Sequence, residues 1–543
     1  MSSEIPQHLA RGKACVPCRK RKMKCDGNQP TCNQCLRFNR AAECEYNEGS
    51  SPSTARVLEQ HISQLESRIA ELEQDDPSLV RLHDPYANAQ SLPVATAAAA
   101  SQQLSQANWW DMPEPPTRMQ QILVQFFMRH SSKLGFFFDP NRFVGSMASP
   151  TANLPRPAAV LRSVIYLWGI NLSANPQYVQ HEPRFLGRAL RSVHMALSSA
   201  QQQQSSPLYV LQAEILLAYY FFHNNRLLEG KFHASAAVSL AYMCNLHKIL
   251  SGGGGPPPLA FSPAGQAYLP PPIDWVDEGE RIHAWWTVFL LDKTWATALA
   301  IPSMINENQE PGTVIDTPWP LTTDMYRQLP ASLRGNVGAT TRRFFADVLV
   351  DNEPSHLAML AKASALYDRA NDFASYDGNG PDFQATISAL DTSIEAFKHT
   401  LPPLQRPSQS SGDTAHMLLL IHAICHCASI QLHRPFLNRS STSLTRCLTA
   451  ANTTIRVMHS LEVHNLGIVN PVIGVLASTA SDALILGIRS IRSSRAAWAA
   501  TTAVPGEEQF FVALNQLCTD LSGLSFAPFI GVLFFLSFTR SAS

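Results

Sequence analysis

Six cysteines stand within the first 44 residues, Cys15, Cys18, Cys25, Cys32, Cys35 and Cys44, in the order C-x2-C-x6-C-x6-C-x2-C-x8-C. Thiolates at such spacing are zinc ligands when the compartment is reducing and disulfide partners when it is not. The opening residues MSSEIPQHLARGK carry no apolar run that would act as a secretory signal, which favours reduced thiols and metal. Two C-x2-C…C units follow one another, joined by a loop. Zinc takes four tetrahedral ligands, so six thiolates serve two ions only if two of them bridge. Six thiolates and two Zn²⁺ leave about −2 on the cluster, which nearby Lys and Arg offset. A disulfide framework, or a single four-cysteine knuckle with two spare thiols, are the competing readings.

The cations are in place. Between Cys18 and Cys25 runs Arg19-Lys20-Arg21-Lys22-Met23-Lys24, five cations in six residues, on a segment expected to be held by the metal as a short helix. From Arg11 to Arg40 nine basic residues face one acid, Asp26, a net +8; because the whole chain balances 42 Lys plus Arg against 42 Asp plus Glu, the remainder carries −8. A basic head on a mildly acidic remainder is the asymmetry of a nucleic-acid binder with a separate regulatory part. A helix so loaded fits the DNA major groove, where Lys and Arg donate to guanine O6 and N7. A solvated basic face or a nuclear-import signal is the plainer alternative.

This segment, with Asp26-Gly27 and Pro30-Thr-Cys32, resembles the fungal-type Zn(2)Cys(6) binuclear cluster domain. The resemblance implies that Cys15 and Cys32 bridge two zinc ions. One ion would take Cys15, Cys18, Cys25 and Cys32, the other Cys32, Cys35, Cys44 and Cys15, with Pro30 turning the loop between halves. It implies that Lys22 reads base edges with Arg21 beside it, on CGG-like triplets. Arg19, Lys20 and Lys24 are assigned to phosphates, which supply affinity without sequence information.

After a polar linker at 49–57, Leu58, Ile62, Leu65, Ile69 and Leu72 are spaced 4, 3, 4, 3, placing Leu at d and Ile at a of a heptad. That pattern favours a parallel two-stranded coiled coil, with Arg68 at g and Glu73 at e able to pair across it. A dimerisation helix is therefore expected over 58–74, and a homodimer with it; packing against the chain's own body is the alternative for so short a repeat. Residues 75–117, rich in Ala, Gln and Pro, read as a disordered connector.

From Met119 the patterning is amphipathic and helical, with no sustained strand alternation. Phe126-Phe127-Met-Arg-His130, Leu227-Leu228-Glu229-Gly230, Arg281-Ile-His-Ala-Trp285-Trp286 through Leu291-Asp292-Lys293 to Ile301-Pro302, and Leu432-His433-Arg434-Pro435-Phe436 follow in order. Together these resemble the fungal-specific transcription factor regulatory domain, which implies an all-α body over 118–543 that receives coregulators or a small-molecule effector. The insertion SGGGGPPP at 251–258 reads as a loop. His422, Cys425, His426 and Cys427 lie in an apolar helix and read as core. The sequence contains no G-x-S-x-G, H-E-x-x-H or P-loop motif. The uncharged run 521–539 is long enough for a membrane span but is interrupted by Ser, Pro and Gly, and a buried final helix is expected.

The expected protein is mainly α: a zinc-cluster domain at 11–48, a short coiled-coil helix and a large helical regulatory domain. It would act in the nucleus on double-stranded DNA, with no membrane and no enzymatic role. The alternative is an adaptor or corepressor-type interaction protein with weak DNA binding.

Overall fold

The computed structural model describes residues 13–44, 46, 108–148, 156–198, 206–249, 269–307, 311–328, 338–348, 355–374, 381–404, 412–460, 470–496 and 512–513. The linker 49–57, the dimerisation helix 58–74, the insertion 251–258 and the apolar run 521–539 lie outside the described residues. The chain divides into two units, Met1–Leu104 and Ser105–Ser543. No β-strand occurs among the described residues.

The first unit contains two one-turn helices, α1 (Val16–Lys20) and α2 (Asn33–Arg37), with a short 3-10 turn at Ala41–Glu43. In the second follow α3 (Thr117–Met128), α4 (Pro140–Ala148), α5 (Ala159–Leu172), α6 (Pro176–Val179), α7 (Glu182–Ser198), α8 (Pro207–His223), α9 (Leu227–Met243) and α10 (Trp275–Leu299). Then come α11 (Thr323–Gln328), α12 (Thr340–Ala346), α13 (His356–Ala374), α14 (Pro381–Thr400), α15 (Gly412–His433), α16 (Ser441–Ser460) and α17 (Val472–Ala496). Neighbours in sequence pack in pairs: α3 on α5, α5 on α7, α8 on α9, α15 on α16 and α16 on α17. Two of these crossings are close because a side chain is missing. A Cβ at Gly169 of α5 would stand 2.4 Å from the Leu123 carbonyl oxygen of α3, and one at Gly230 of α9 would stand 2.5 Å from the Phe222 ring. Gly230 is the glycine of the Leu-Leu-Glu-Gly segment, and its bareness leaves Phe222 free to stack on Trp295 at 3.6 Å.

Helix α10 joins the pairs into one core, touching α8, α9 and α13. It starts at Asp274, whose carboxylate accepts from the Asp277 N–H at 2.8 Å, and stops at Ala300, which takes a left-handed φ of 53° before Pro302. It is apolar on nearly every side, as expected of a helix surrounded by others; Trp285, Trp286, Leu291 and Trp295 are buried. The polar pair Asp292-Lys293 lies within this core. Asp292, fully buried, accepts from Lys231 of α9 at 3.1 Å and from the Ile305 N–H at 2.8 Å. Lys293 donates to Asp368 of α13 and to the Ile305 carbonyl, both at 2.6 Å, and to Ser303 at 3.0 Å. Charges removed from water are tolerated only when so paired, and here the pairing straps the chain after Ile301-Pro302 onto the helix. His433 of α15 does a similar job, bonding Asp391 of α14 at 3.1 Å and Ser443 of α16 at 3.2 Å.

The structure differs from expectation upstream of α3. Trp109 and Trp110, assigned to the connector, pack on the body: Trp109 meets Tyr178 and Phe185, and Trp110 stacks on His181 at 4.0 Å. Two large indoles bury too much apolar surface to stay in water, and the body therefore begins before residue 118. Cys425 and Cys427 are buried in α15, where His422 bonds the Pro402 carbonyl at 2.9 Å. Burial pushes Cys425 up to about 12 and His426 down to about 3, the signature of packing residues. Two segments, Gly412–Phe436 and Val472–Ser490, are apolar and long enough to cross a membrane, but 78% of the most apolar 18-residue stretch of each lies inside the body, as in core helices.

Asp292→Ala leaves Lys231 and the Ile305 N–H without their buried partner and is expected to destabilise the body by about 3–5 kcal/mol. Urea unfolding of wild type and variant checks this, and the zinc content of the chain should be unchanged.

Candidate metal centre and nucleic-acid interface

The two halves of the first unit are built alike. Cys15 precedes α1 and Cys32 precedes α2, where the Cys32 sulfur accepts from the Cys35 N–H at 3.4 Å. Both helices end in the same cap. After α1 the Lys22 N–H bonds the Arg19 carbonyl at 3.2 Å and the Met23 N–H bonds that of Cys18 at 3.0 Å; after α2 the Asn39 N–H bonds Leu36 at 3.0 Å and the Arg40 N–H bonds Cys35 at 2.8 Å. These are Schellman closures, and their pivots are Lys22 (φ 55°) and Asn39 (φ 56°). Asn visits the left-handed region readily, whereas a Lys there costs roughly 1–2 kcal/mol. The expected short helix across the basic run is thus corrected: it ends at Lys20, and Lys22 turns the chain so that Cys25 can return to the sulfur cluster.

That cluster is tight. Cys15 Sγ lies 3.7 Å from Cys32 Sγ, 3.9 Å from Cys35 Sγ and 3.8 Å from Cys25 Sγ, while Cys18 and Cys32 sulfurs are 3.8 Å apart. The sulfurs of Cys15, Cys18, Cys32 and Cys35 all fall within 4.8 Å of one another, and Cys44 joins through the Cys32 N–H, which donates to its sulfur at 3.3 Å. Two sulfurs each about 2.3 Å from one tetrahedral zinc stand about 3.8 Å apart, so the spacing fits that ion. Every quoted sulfur pair includes Cys15 or Cys32.

The thiols are arranged at electrostatic cost. Burial, then hydrogen bonds with neighbouring thiols, pushes Cys35 up to about 12, and burial leads the upward shift of Cys18 as well. For Cys32 burial works upward too, but hydrogen bonds from the Cys35 N–H and from adjacent thiols outweigh it and carry the group down to about 6. A cation among the sulfurs replaces their protons, which is how such a donor set couples metal binding to folding.

Two residues outside the cysteine pattern hold the halves together. Both oxygens of Asp26 accept from the Asn33 N–H that opens α2, at 3.0 and 3.2 Å, and Asn28 donates to the same carboxylate at 2.9 Å. The Tyr46 hydroxyl donates to the Asn28 carbonyl at 2.9 Å and lies 3.8 Å from Cys25 Sγ. Asp26 was discoverable as the single acid in the basic window; Tyr46 carried no such signal. Pro30, at the loop between halves, follows a cis peptide bond.

Arg19, Lys20, Arg21, Lys22 and Lys24 are all exposed, while Cys15, Cys18, Cys32 and Cys35 are buried. Arg19 donates to the Ala14 carbonyl at 3.0 Å. Superposing the repeat by its cysteines matches Arg19 with Leu36 and Arg21 with Phe38, so one scaffold carries cations on its first half and exposed apolar side chains on its second. The dimerisation residues Leu58, Ile62, Leu65, Ile69 and Leu72 are outside the described residues. Elsewhere among the described residues, cysteine, histidine and carboxylate ligand atoms do not gather into a second group of this kind.

Comparison with known proteins agrees with this geometry. Residues 13–53 match the fungal Zn(2)-Cys(6) binuclear cluster domain, a two-zinc module, and residues 123–311 match the fungal specific transcription factor domain. Among curated relatives, Transcription factor FBD3 of Fusarium pseudograminearum is 40% identical over 81 residues, 14% of this chain and 10% of that protein. Lactose regulatory protein LAC9 of Kluyveromyces lactis is 43% identical over 63 residues, 11% of this chain and 7% of that protein. An uncharacterized transcriptional regulatory protein of Saccharomyces cerevisiae is 62% identical over 34 residues, 6% of this chain and 5% of that protein. The matched stretches thus span a tenth or less of these relatives. The cysteine cluster of residues 13–53, followed on the same chain by the helical domain matched over 123–311, is the domain order that makes this chain similar to fungal Zn(2)-Cys(6) transcription factors.

Proposed function

We propose that the protein is a zinc-dependent DNA-binding regulator of transcription. The observation that carries the reading is the sulfur spacing of 3.7–3.9 Å beside five exposed cations. Cys15 and Cys32 would hold both ions, with Cys18 and Cys25 completing the ligands of one and Cys35 and Cys44 those of the other. When bound, zinc supplies positive charge and a rigid crosslink among the cysteines of this segment. The chain's own residues do the rest. Lys22, swung out at the end of α1, donates to base edges of a CGG-like triplet, with Arg21 beside it, while Arg19, Lys20 and Lys24 contact phosphates.

The helix at 58–74 pairs two copies through Leu58, Ile62, Leu65, Ile69 and Leu72, placing two clusters on two half-sites in nuclear double-stranded DNA. The helical body is the regulatory part, open to coregulators or a small-molecule effector. This assignment is that of a regulator and not an enzyme.

Two zinc ions per chain are expected by elemental analysis. Cys32→Ala removes a ligand common to both sites and should lose both ions, whereas Cys44→Ala should retain about one. Because burial and crowding raise the Cys18 and Cys35 thiols, these hold protons at neutral pH without metal; zinc releases them, and affinity should fall as pH falls. A zinc content equal in both variants would contradict the bridging assignment.

On DNA, Lys22→Ala should cost about 1–3 kcal/mol on a matched triplet and little on a scrambled one. Lys24→Ala should weaken both alike and lower the salt slope by about 1. Lys22→Gly separates the two roles of this position: it relieves the left-handed backbone and should stabilise the loaded cluster by roughly 1 kcal/mol while losing discrimination. Gel-shift titrations at several salt concentrations, with thermal unfolding of the same variants, decide these outcomes.

A further inference from the structure

The helical body contains a basic recess that neither the fold nor the DNA-binding reading uses. It has a volume of about 330 Å³ and is lined by Trp110, Asp111, Pro183, Arg184, Gly187, Arg188 and Arg191. Residues 184, 187, 188 and 191 share one face of α7, so three guanidiniums surround a glycine. Gly187 is not required by packing, since a Cβ there would meet only Arg191 Nη1, at an ordinary 3.4 Å. A mid-helix glycine costs about 1 kcal/mol relative to alanine, and what it leaves here is open space between arginines.

The charges in the recess do not balance. Arg184 pairs with Asp111, the single carboxylate of the lining. Arg188 donates one nitrogen to the Trp110 carbonyl at 2.9 Å and lies over the Phe185 ring at 4.7 Å, but its Nη1 is buried without a hydrogen-bond partner. Burial, and then the like charge of Arg191, weakens the hold of Arg188 on its proton. Two guanidiniums brought together without a carboxylate of their own are unfavourable until an anion joins them. Behind them Trp110 stacks on His181, whose Nε2 is also buried and unpartnered.

We propose that this recess binds the terminal phosphate of a small free molecule. Two uncompensated guanidiniums match a dianionic phosphate monoester in charge, and their forked N–H groups match its oxygens in geometry. A DNA phosphodiester carries one charge and is flanked by sugars on both sides, which suits an open groove better than a recess. Because Trp110 and Asp111 form one wall, the bound phosphate also fastens the segment by which the chain enters the body. The inference is independent of the zinc cluster and of how it reads DNA.

The test is calorimetric titration of the full-length, zinc-loaded chain with inorganic phosphate, against chloride at matched ionic strength, alongside a phosphoserine peptide and a short DNA duplex. Saturable phosphate binding is expected, weakened about tenfold or more by Arg191→Gln, and by Gly187→Leu, which fills the recess. Arg191 is exposed and makes no ion pair among the described residues, so its loss should leave folding intact; Arg439→Gln, outside the recess, should bind as wild type. No saturable phosphate binding, binding untouched by Arg191→Gln, or binding of the peptide or duplex alone would overturn the proposal.

Discussion

Five cysteine sulfurs linked by separations of 3.7–3.9 Å, with that of Cys44 alongside, cannot be gathered as thiolates unless cations lie among them, and the described part of the amino-terminal unit follows from that constraint. Among its described residues the unit has almost no apolar core beyond the cysteines themselves, with Met23 and Tyr46 packed alongside. Each half spends its single helical turn on aiming two cysteines inward, then closes the turn with a left-handed residue so that the next cysteine can come back. In the second half that residue is Asn, which tolerates the conformation; in the first it is Lys22, which does not. At Lys22 the demand of bringing Cys25 back to the sulfur cluster has overridden local preference.

The helical body obeys a different rule. Its core is assembled around α10, and what fixes the elements to that helix is a small set of buried polar contacts: Asp292 and Lys293 to the 303–305 strap, to α9 and to α13. Stacked aromatics, Trp286 on Trp319 and Phe222 on Trp295, supply area, while Gly169 and Gly230 supply closeness. Apolar contact is tolerant of small shifts, whereas a paired buried charge admits few arrangements, so these ion pairs define register where the aromatics define stability.

Much of this was legible in the sequence, because cysteine spacing has few geometric solutions and helical periodicity persists over long segments. The repeat of C-x2-C units indicated the paired halves, and the apolar run around His422 to Cys427 indicated core. Other features depend on contacts that composition does not encode. Nothing local marks Lys22 as left-handed, since the reason lies in the return of Cys25 to Cys15. Trp109 and Trp110 sit in a stretch whose Ala, Gln and Pro read as connector, yet their partners, Tyr178, His181 and Phe185, are about 70 residues away. The Asp292-Lys293 dipeptide was visible as a motif, but its meaning lies in Lys231, Ile305 and Asp368.

The central claim is that a metal-held scaffold presents Lys22 and its neighbours as a sequence reader. Selection of preferred sites from random double-stranded DNA by the full-length, zinc-loaded chain tests it most directly. A CGG-like triplet should be enriched, in pairs if the chain dimerises, and the enrichment should vanish when zinc is chelated and return when it is restored. Enrichment that survives zinc removal, or retention of DNA with no preferred triplet, would contradict the account.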